Sequence, residues 1–236
     1  MRRIGISEKA IYQIVIYYNM MNCKTAYDLL ATDYDRYFSD ARSKRENELL
    51  FNHIKRAIPY LGRVFDVGCG TGLALEYLDI PPNSYVGMDI STKMLNIAQQ
   101  KFQNHHFIKG DAQEHIPNHQ YFSTILSLFG SFSYCLHPQR LIRQIERIAA
   151  PNSKICIMVF SHHYRAKRDY IINQLKYSTV PFKTYSIHEL KKLFHGILVK
   201  TDIYGLSKID EEWPQKIYSD PKDLNSCYHI ILIGSK

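Results

Sequence analysis

The stretch VFDVGCGTG, residues 64–72, decides the fold class. An apolar run ends in three glycines at every second position, and an apolar helical pattern follows at 73–78. Glycine allows the backbone to turn sharply, and it lets a ligand approach closely because it has no Cβ. The stretch therefore predicts a strand, a ligand-binding loop and a helix in direct succession.

In the chain around this stretch, apolar runs at 63–67, 85–89, 107–109, 123–128 and 154–160 alternate with helical patterns. This alternation is typical of a parallel sheet with helices on both faces. Ser91 and Pro138 are suited to helix starts. Residues 186–189, SIHE, form a capping box for a helix that ends near Gly196.

The last two strand patterns, 197–204 and 228–233, are joined by a link without a helical pattern. Strands without a crossover helix pair antiparallel. The prediction is an α/β fold with a Rossmann-like, seven-stranded, mostly parallel sheet and an antiparallel C-terminal hairpin strand. Residues 1–60, with helical patterns at 24–37 and 42–58, are predicted to form an N-terminal helical cap or lid over the domain at 61–236.

Composition excludes several classes of protein. Of the 236 residues, 45% are hydrophobic and 22% charged, which argues against a disordered chain. No apolar run reaches 18 residues, and no signal-peptide pattern follows Arg2 and Arg3, so neither a membrane-spanning nor a secreted protein is expected. Five cysteines without a CxxC pair favour a reducing cytoplasm over disulfides or zinc.

Two acids extend the glycine-loop motif. Asp89 ends the second strand pattern, 19 residues after Gly70, and Asp111 follows the third. Ligands of open α/β sheets bind at the carboxyl ends of the strands, where an acid in the place of Asp89 accepts hydrogen bonds from ribose hydroxyls. Asp66, before the loop, repels phosphate and attracts a cation. These acids indicate a ligand with an adenine, a ribose and a positively charged end.

Residues about 63–160 resemble the class I S-adenosylmethionine-dependent methyltransferases. The segments 64–72 (VFDVGCGTG), 86–91 (VGMDIS), 110–113 (GDAQ) and 127–134 (SLFGSFSY) are similar in order and spacing to the cofactor motifs of that family. The resemblance implies S-adenosyl-L-methionine as the cofactor. Ile90 and Met94 are apolar residues suited to flank the adenine ring. With them, the implied cofactor site comprises Asp66, Gly68, Cys69, Gly70, Gly72, Asp89, Ile90, Met94, Asp111, Ala112, Ser127, Leu128 and Phe129.

The outer segments look closest to the branch of this family with small-molecule acceptors. Methyl transfer from a sulfonium requires positioning and the exclusion of water more than a general base. Residues near the strand ends are still candidates: His162, His163, Tyr134 and Tyr34 for catalysis, and Tyr37, His137 and Arg165 for binding the substrate. The alternatives are that the histidines lie on the surface and that the tyrosines are core residues. No metal site is predicted.

Charge adds one hint about the acceptor. The net charge is +8, and the segment 161–183, an insertion on the substrate side, has five Lys or Arg residues and one acid. Three interpretations are open. The segment binds a carboxylate or phosphate of the acceptor, it binds an RNA backbone, or it is a solvated helix face without a ligand.

The predicted function is a cytoplasmic methyltransferase acting on an O or N atom of a small metabolite, and an anionic group on that metabolite is one of the alternatives that the basic segment leaves open. The alternatives are an RNA or protein methyltransferase and a non-catalytic cofactor-binding protein. No membrane partner is expected, and both a monomer and a homodimer fit.

Overall fold

A computed structural model describes residues 22–116, 121–164, 180–208 and 216–236. Its seven strands are β1 (Val64–Val67), β2 (Tyr85–Asp89), β3 (His106–Lys109), β4 (Phe122–Ser127), β5 (Ala149–Phe160), β6 (Lys200–Lys208) and β7 (Cys227–Ser235). They form one sheet in the order β3-β2-β1-β4-β5-β7-β6.

The sheet confirms the predicted Rossmann-like architecture. The pairs β1–β2, β2–β3, β1–β4 and β4–β5 are parallel. β7 lies between β5 and β6 and is antiparallel to both, so it is the single reversed strand of this sheet. Because β1 has β2 on one side and β4 on the other, the strand order reverses at β1. A crevice for ligands forms at such a switch point, at the carboxyl ends of the strands.

The helices are α1 (Cys23–Leu30), α2 (Tyr34–Tyr37), α3 (Ala41–Ala57), α4 (Leu73–Tyr77), α5 (Thr92–Lys101), α6 (Pro138–Ile148), α7 (Ile187–Phe194) and α8 (Pro221–Leu224). Short 3₁₀ helices occupy Ala31–Asp33, Pro82–Ser84 and Ser131–Tyr134.

The predicted helix starts are confirmed. The Ser91 hydroxyl accepts a hydrogen bond from the Met94 N–H, Pro138 is the first residue of α6, and Ser186 and Glu189 form the complete capping box of α7. The expectation of no helix between the last two strands was wrong in part. The Asp220 side chain caps the single turn of α8, where Pro221 provides the fixed φ of a first helical residue.

Two apolar cores lie on the two faces of the sheet. One joins Phe65, Ile125 and Ile157 to α6 and α7. The other joins Val64 and Leu126 to α3 and α4. β1 is buried along its whole length, so the loop that follows it begins in a rigid part of the molecule.

Parts of the predicted cap and insertion lie outside the described residues. These are 1–21 and 165–179, which include Arg165. In the described part of the predicted cap, α1 and the following 3₁₀ turn lie against α5. Within the ranges that the structure describes, no helix has the length and apolar character needed to cross a membrane.

Candidate functional site

A cavity of about 450 Å³ opens at the carboxyl ends of β1, β2, β3 and β4, beneath α1 and α2. Nine of the predicted cofactor residues line it: Gly68, Cys69, Gly70, Asp89, Ile90, Met94, Asp111, Ala112 and Phe129. Tyr34 and Tyr134, predicted on the acceptor side, line it as well. The structure therefore brings together most residues that the sequence singled out.

The glycine loop forms the floor of this cavity. The N–H groups of Gly68 and Cys69 both donate to the Met88 carbonyl of β2, and the Ser131 hydroxyl donates to the Gly68 carbonyl. Gly68 has φ +71°, and a Cβ there would lie 2.4 Å from the Ser131 Oγ. Gly70 has φ +55°, and a Cβ there would meet no heavy atom within 4 Å. The loop thus presents bare backbone to an open space.

Asp89 connects this loop to the end of β2. Its Oδ2 accepts from the Gly70 N–H at 2.9 Å, and its Oδ1 accepts from the Ser91 N–H at 2.8 Å. Burial raises the pKa of Asp89, while the hydrogen bonds from Ser91 and Gly70 oppose that shift. Each carboxylate oxygen keeps a lone pair for a further donor, which suits two neighbouring hydroxyls of a ligand.

Asp111 occupies the corresponding place after β3. Its Oδ1 accepts from the Gln113 N–H at 2.9 Å, which fixes the carboxylate in the cavity wall. Gln113 lines the cavity too, and its Oε1 accepts from the His137 N–H at 2.7 Å. The sequence did not single out Gln113 as a site residue, although it belongs to the quoted segment at 110–113.

Asp66 lies beneath the loop instead of in the cavity. It is 4% exposed, does not line the cavity, and accepts a hydrogen bond from the Tyr85 hydroxyl at 2.9 Å. Burial raises its pKa to about 7, the Tyr85 hydrogen bond opposes the shift, and the Asp89 charge adds to it. Asp66 is therefore not placed to contact a ligand in this cavity directly.

Three further predicted cofactor residues lie behind the cavity wall. Gly72 faces α5, where a Cβ would meet the Phe102 ring at 2.9 Å. Ser127 and Leu128 are buried at the end of β4, where alternate side chains enter the two cores. Phe129 follows them with φ 52°, an unusual backbone conformation for a non-glycine residue, and it does line the cavity.

The predicted histidines do not line the cavity. His162 is exposed, and its ring nitrogens contact the Thr184 Oγ1 at 2.8 Å and the Glu189 Oε2 at 3.1 Å. His163 and His137 are exposed too. Tyr37 ends α2, its side chain lies outside the described part, and Arg165 lies outside it altogether.

The cavity is covered by α1 and α2, which we call its roof. The residues of the α1 region were not among the predicted site residues. Asn22, Cys23, Lys24 and Tyr27 of the α1 region line the cavity, and Tyr27 and Tyr134 share a side-chain hydrogen bond. Burial raises the pKa values of Tyr27, Tyr34 and Tyr134, so their hydroxyls stay protonated. The helical pattern at 24–37 predicts a cap or lid in this region, but it does not show which side chains face the cavity.

Two carboxylates attach this roof to the loops below. The Asp28 Oδ1 accepts from the Ser91 hydroxyl at 2.7 Å and from the Lys93 N–H at 3.1 Å. Burial opposes ionisation of Asp28, but hydrogen bonds from Lys24 and Ser91 lower its pKa to about 2. Asp35 accepts from the Thr71 hydroxyl of the glycine loop at 2.6 Å and from the Lys101 ammonium at 2.9 Å.

The groups that line the cavity suit the ligand that the sequence indicated. A nucleoside with a charged end matches these groups. They are the open backbone at Gly70, the oriented carboxylates of Asp89 and Asp111, and the apolar side chains of Ile90 and Met94. Among the residues described, no three His, Cys, Asp or Glu side chains are grouped to hold a metal ion.

Comparisons with known proteins agree with this geometry. Residues 64–152 match the family model described as a methyltransferase domain. An uncharacterized protein of Methanocaldococcus jannaschii, MJ1252, is 33% identical over 130 residues, covering 54% of this chain and 47% of the relative. A malonyl-[acyl-carrier protein] O-methyltransferase of a Marinomonas species is 28% identical over 103 residues, covering 42% of this chain and 38% of the relative.

Other relatives differ in the acceptor named for them. They include a C-methyltransferase of Campylobacter jejuni and an 18S rRNA (guanine-N(7))-methyltransferase of Bos taurus. The matched segments span less than half the length of each curated relative.

The fold is shared with solved structures. A SAM-dependent methyltransferase of Thermotoga maritima, described as a possible histamine N-methyltransferase, aligns with a TM-score of 0.68 at 16% identity, over 90% of this chain and 99% of that one. The family match over residues 64–152, together with the cavity and the shared fold, supports assigning this part of the chain to the class I S-adenosylmethionine-dependent methyltransferases, a family whose cofactor is S-adenosylmethionine.

Proposed function

We propose that this chain transfers the methyl group of S-adenosylmethionine to an O or N atom of a small metabolite. The observation that carries the proposal is the roofed cavity, in which α1 and α2 cover the strand ends above the glycine loop. A cavity of a few hundred cubic ångströms suits a cofactor and a small acceptor. All five cysteines are free, which supports the proposed cytoplasmic location.

The residues of this chain would bind and orient the reactants. Asp89 would accept hydrogen bonds from two ribose hydroxyls, and Asp111 one from an adenine amine. When bound, the cofactor supplies a methyl group on a positively charged sulfur. Tyr27, Tyr34 and Tyr134 would exclude water from that group, which favours an in-line displacement over hydrolysis.

An RNA acceptor is the second candidate. The net charge of +8 and an rRNA methyltransferase among the relatives favour it. A long RNA would need an open, basic path across the strand ends, whereas the described cavity is covered by α1 and α2. We therefore place the small acceptor first.

Transfer of labelled methyl groups tests the proposal. Purified protein is incubated with methyl-labelled S-adenosylmethionine and a cell extract, which is then separated into metabolite, RNA and protein fractions. We expect label in the metabolite fraction with the wild type and none with Gly68→Val. Label confined to RNA, together with an affinity that falls with salt at a log–log slope steeper than about −3, would favour the second candidate. Cofactor binding without any labelled product would favour a non-catalytic binding protein.

A further inference from the structure

Three tyrosines line the cavity and contact one another through their rings. They are Tyr27, Tyr34 and Tyr134, and we call them the tyrosine cage. The ring centroids of Tyr27 and Tyr34 are 6.0 Å apart, and those of Tyr27 and Tyr134 are 5.6 Å apart. The first pair of rings is inclined at 57° and the second at 86°. Stacked rings would cover each other's faces, whereas inclined rings form adjoining walls of one space.

Neighbouring contacts hold two members of the cage beside the glycine loop. Tyr34 precedes Asp35, whose carboxylate accepts from the Thr71 hydroxyl of that loop at 2.6 Å. Tyr134 ends the 3₁₀ helix that begins at Ser131, and the Ser131 hydroxyl donates to a carbonyl of the same loop at 3.1 Å. The cage and the bare backbone of the loop therefore face one cavity from positions that are fixed relative to each other.

The charges around this space favour a cation. The carboxylates of Asp89 and Asp111 line the same cavity. Among the described residues of the cavity wall, Lys24 alone is cationic, and its ammonium pairs with the Asp28 carboxylate. Ring faces attract cations as well, and the attraction strengthens where water is excluded. A positively charged group beside the cage is therefore stabilised more than a neutral or an anionic one.

We propose that the tyrosine cage binds the positively charged sulfur of S-adenosylmethionine through its ring faces, and so distinguishes the cofactor from its neutral product. The inference deepens the proposed function and rests on it for the place of the cofactor. With the ribose held by Asp89, the sulfur follows one carbon beyond the ribose ring. Methyl transfer leaves the bonding electrons on that sulfur, which becomes a neutral thioether. The ring faces then have no cation beside them, which favours replacement of the product by a new cofactor molecule.

Exclusion of water by the same rings has a different signature. An apolar wall that only excludes water contacts the cofactor and its product alike, so its removal weakens both by a similar factor. Attraction between a ring face and a charge applies to the cofactor alone. The ratio of the two affinities therefore separates the cage from a simple apolar wall.

Three ligands measure this charge preference. S-adenosylmethionine carries a sulfonium, S-adenosylhomocysteine a neutral thioether, and sinefungin an ammonium in place of the sulfonium. Each is titrated calorimetrically into the wild type and into variants of the cage. The quantities compared are two affinity ratios, in which each cationic ligand is taken relative to S-adenosylhomocysteine. A ratio within one protein cancels any loss that affects all ligands equally, such as a loosened roof.

Paired substitutions separate the ring from its hydroxyl. Tyr34→Leu and Tyr134→Leu each remove a ring face, and each should lower both ratios about threefold to thirtyfold, the range for loss of one cation–ring contact. Tyr34→Phe and Tyr134→Phe keep the ring and should change the ratios less than twofold. Tyr60→Leu is the matched control, because Tyr60 is 83% exposed and does not line this cavity.

The outcomes distinguish the cage from the proposed function. If the wild type binds none of the three ligands, the cofactor site fails and the proposed function fails with it. If it binds them, unchanged ratios in both leucine variants overturn the cage, and so do equal losses in the leucine and phenylalanine variants, which would assign the effect to the hydroxyls. Lowered ratios in a protein that labels no metabolite would support the cage and reject the small acceptor.

Discussion

The two sides of the cavity are built in different ways. On the cofactor side, polar groups are held by backbone donors of neighbouring loops, as when Gly70 and Ser91 donate to Asp89. On the proposed acceptor side, rings from separate segments meet each other, as when Tyr134 contacts both Tyr27 and Phe160. The cofactor side therefore depends on local backbone geometry, and the acceptor side on tertiary packing.

This contrast predicts which substitutions affect cofactor binding and which affect the rate and the choice of acceptor. A change in the loops should weaken cofactor binding strongly, because the backbone of these loops is the proposed binding surface. A change in the roof or the rings should alter rates and acceptor choice while the cofactor still binds.

Gly68→Val should reduce the affinity for S-adenosylhomocysteine more than a hundredfold. The new Cβ would lie 2.4 Å from the Ser131 Oγ, and φ +71° disfavours a branched residue by about 1–2 kcal/mol. Calorimetric titration measures the loss. Gly196→Val is the control, because Gly196 has φ +86°, a Cβ there meets no heavy atom within 4 Å, and it lies outside the cavity. Equal losses in both variants would show that the effect is general destabilisation.

Asp89→Ala should weaken S-adenosylhomocysteine binding about tenfold to a hundredfold, since hydrogen bonds to a charged acceptor contribute about 1.5–3 kcal/mol. The acceptor of the Gly70 and Ser91 N–H groups is lost together with the groups for the ribose. The same calorimetric titration applies, with Asp202→Ala, a change at an exposed residue of β6, as the control. An unchanged affinity in Asp89→Ala would refute the ribose assignment.

Asp66→Asn should change the pH dependence of stability. Burial raises the folded pKa of Asp66 to about 7, so the folded state holds the proton more tightly than the unfolded chain, and wild-type stability falls as pH rises from about 4 to 7. An asparagine cannot ionise. The free energy of unfolding of the variant relative to wild type should therefore rise by about 2–3 kcal/mol between pH 5 and pH 8.

Urea unfolding at the two pH values provides the measurement, with Asp202→Asn as the exposed control. A constant difference between Asp66→Asn and wild type would mean that Asp66 is ionised throughout this range.

Asp35→Asn should raise the dissociation rate of S-adenosylhomocysteine severalfold, with a smaller effect on its association rate. Asp35 attaches the roof to the Thr71 hydroxyl and the Lys101 ammonium, so a weaker contact favours the open roof. Stopped-flow displacement measures the rate. Asp33→Asn is the control, because Asp33 is half exposed and contacts only Arg36 of its own segment among the described ion pairs. Identical rates in all three proteins would argue against a lid.

Nine of the residues that the sequence assigned to the cofactor line the cavity, and the contacts that bring their loops together are close along the chain. Nineteen residues separate Gly70 from Asp89, and the alternation of strands and helices fixes how their loops meet. β2 has the predicted bounds, 85–89, and the other early strands differ by a few residues at their ends.

The sequence could not show which side chains form the roof. Asp28 contacts Ser91 across 63 residues, and Tyr27 reaches Tyr134 through tertiary packing alone. Nor did the sequence separate Asp66 from Asp89. Both are acids at strand ends, but alternation along β1 directs Asp66 into the core toward Tyr85.

Hydrogen exchange with and without S-adenosylhomocysteine tests the central claim that this cavity is the cofactor site and that α1 is its lid. We expect the amides of Gly70, Ser91 and α1 to gain protection together on binding, while those around Tyr60, at the opposite edge of the sheet, do not change. Protection of the loops without α1 would contradict the lid. Protection around Tyr60 alone, or no protection anywhere, would contradict the site itself.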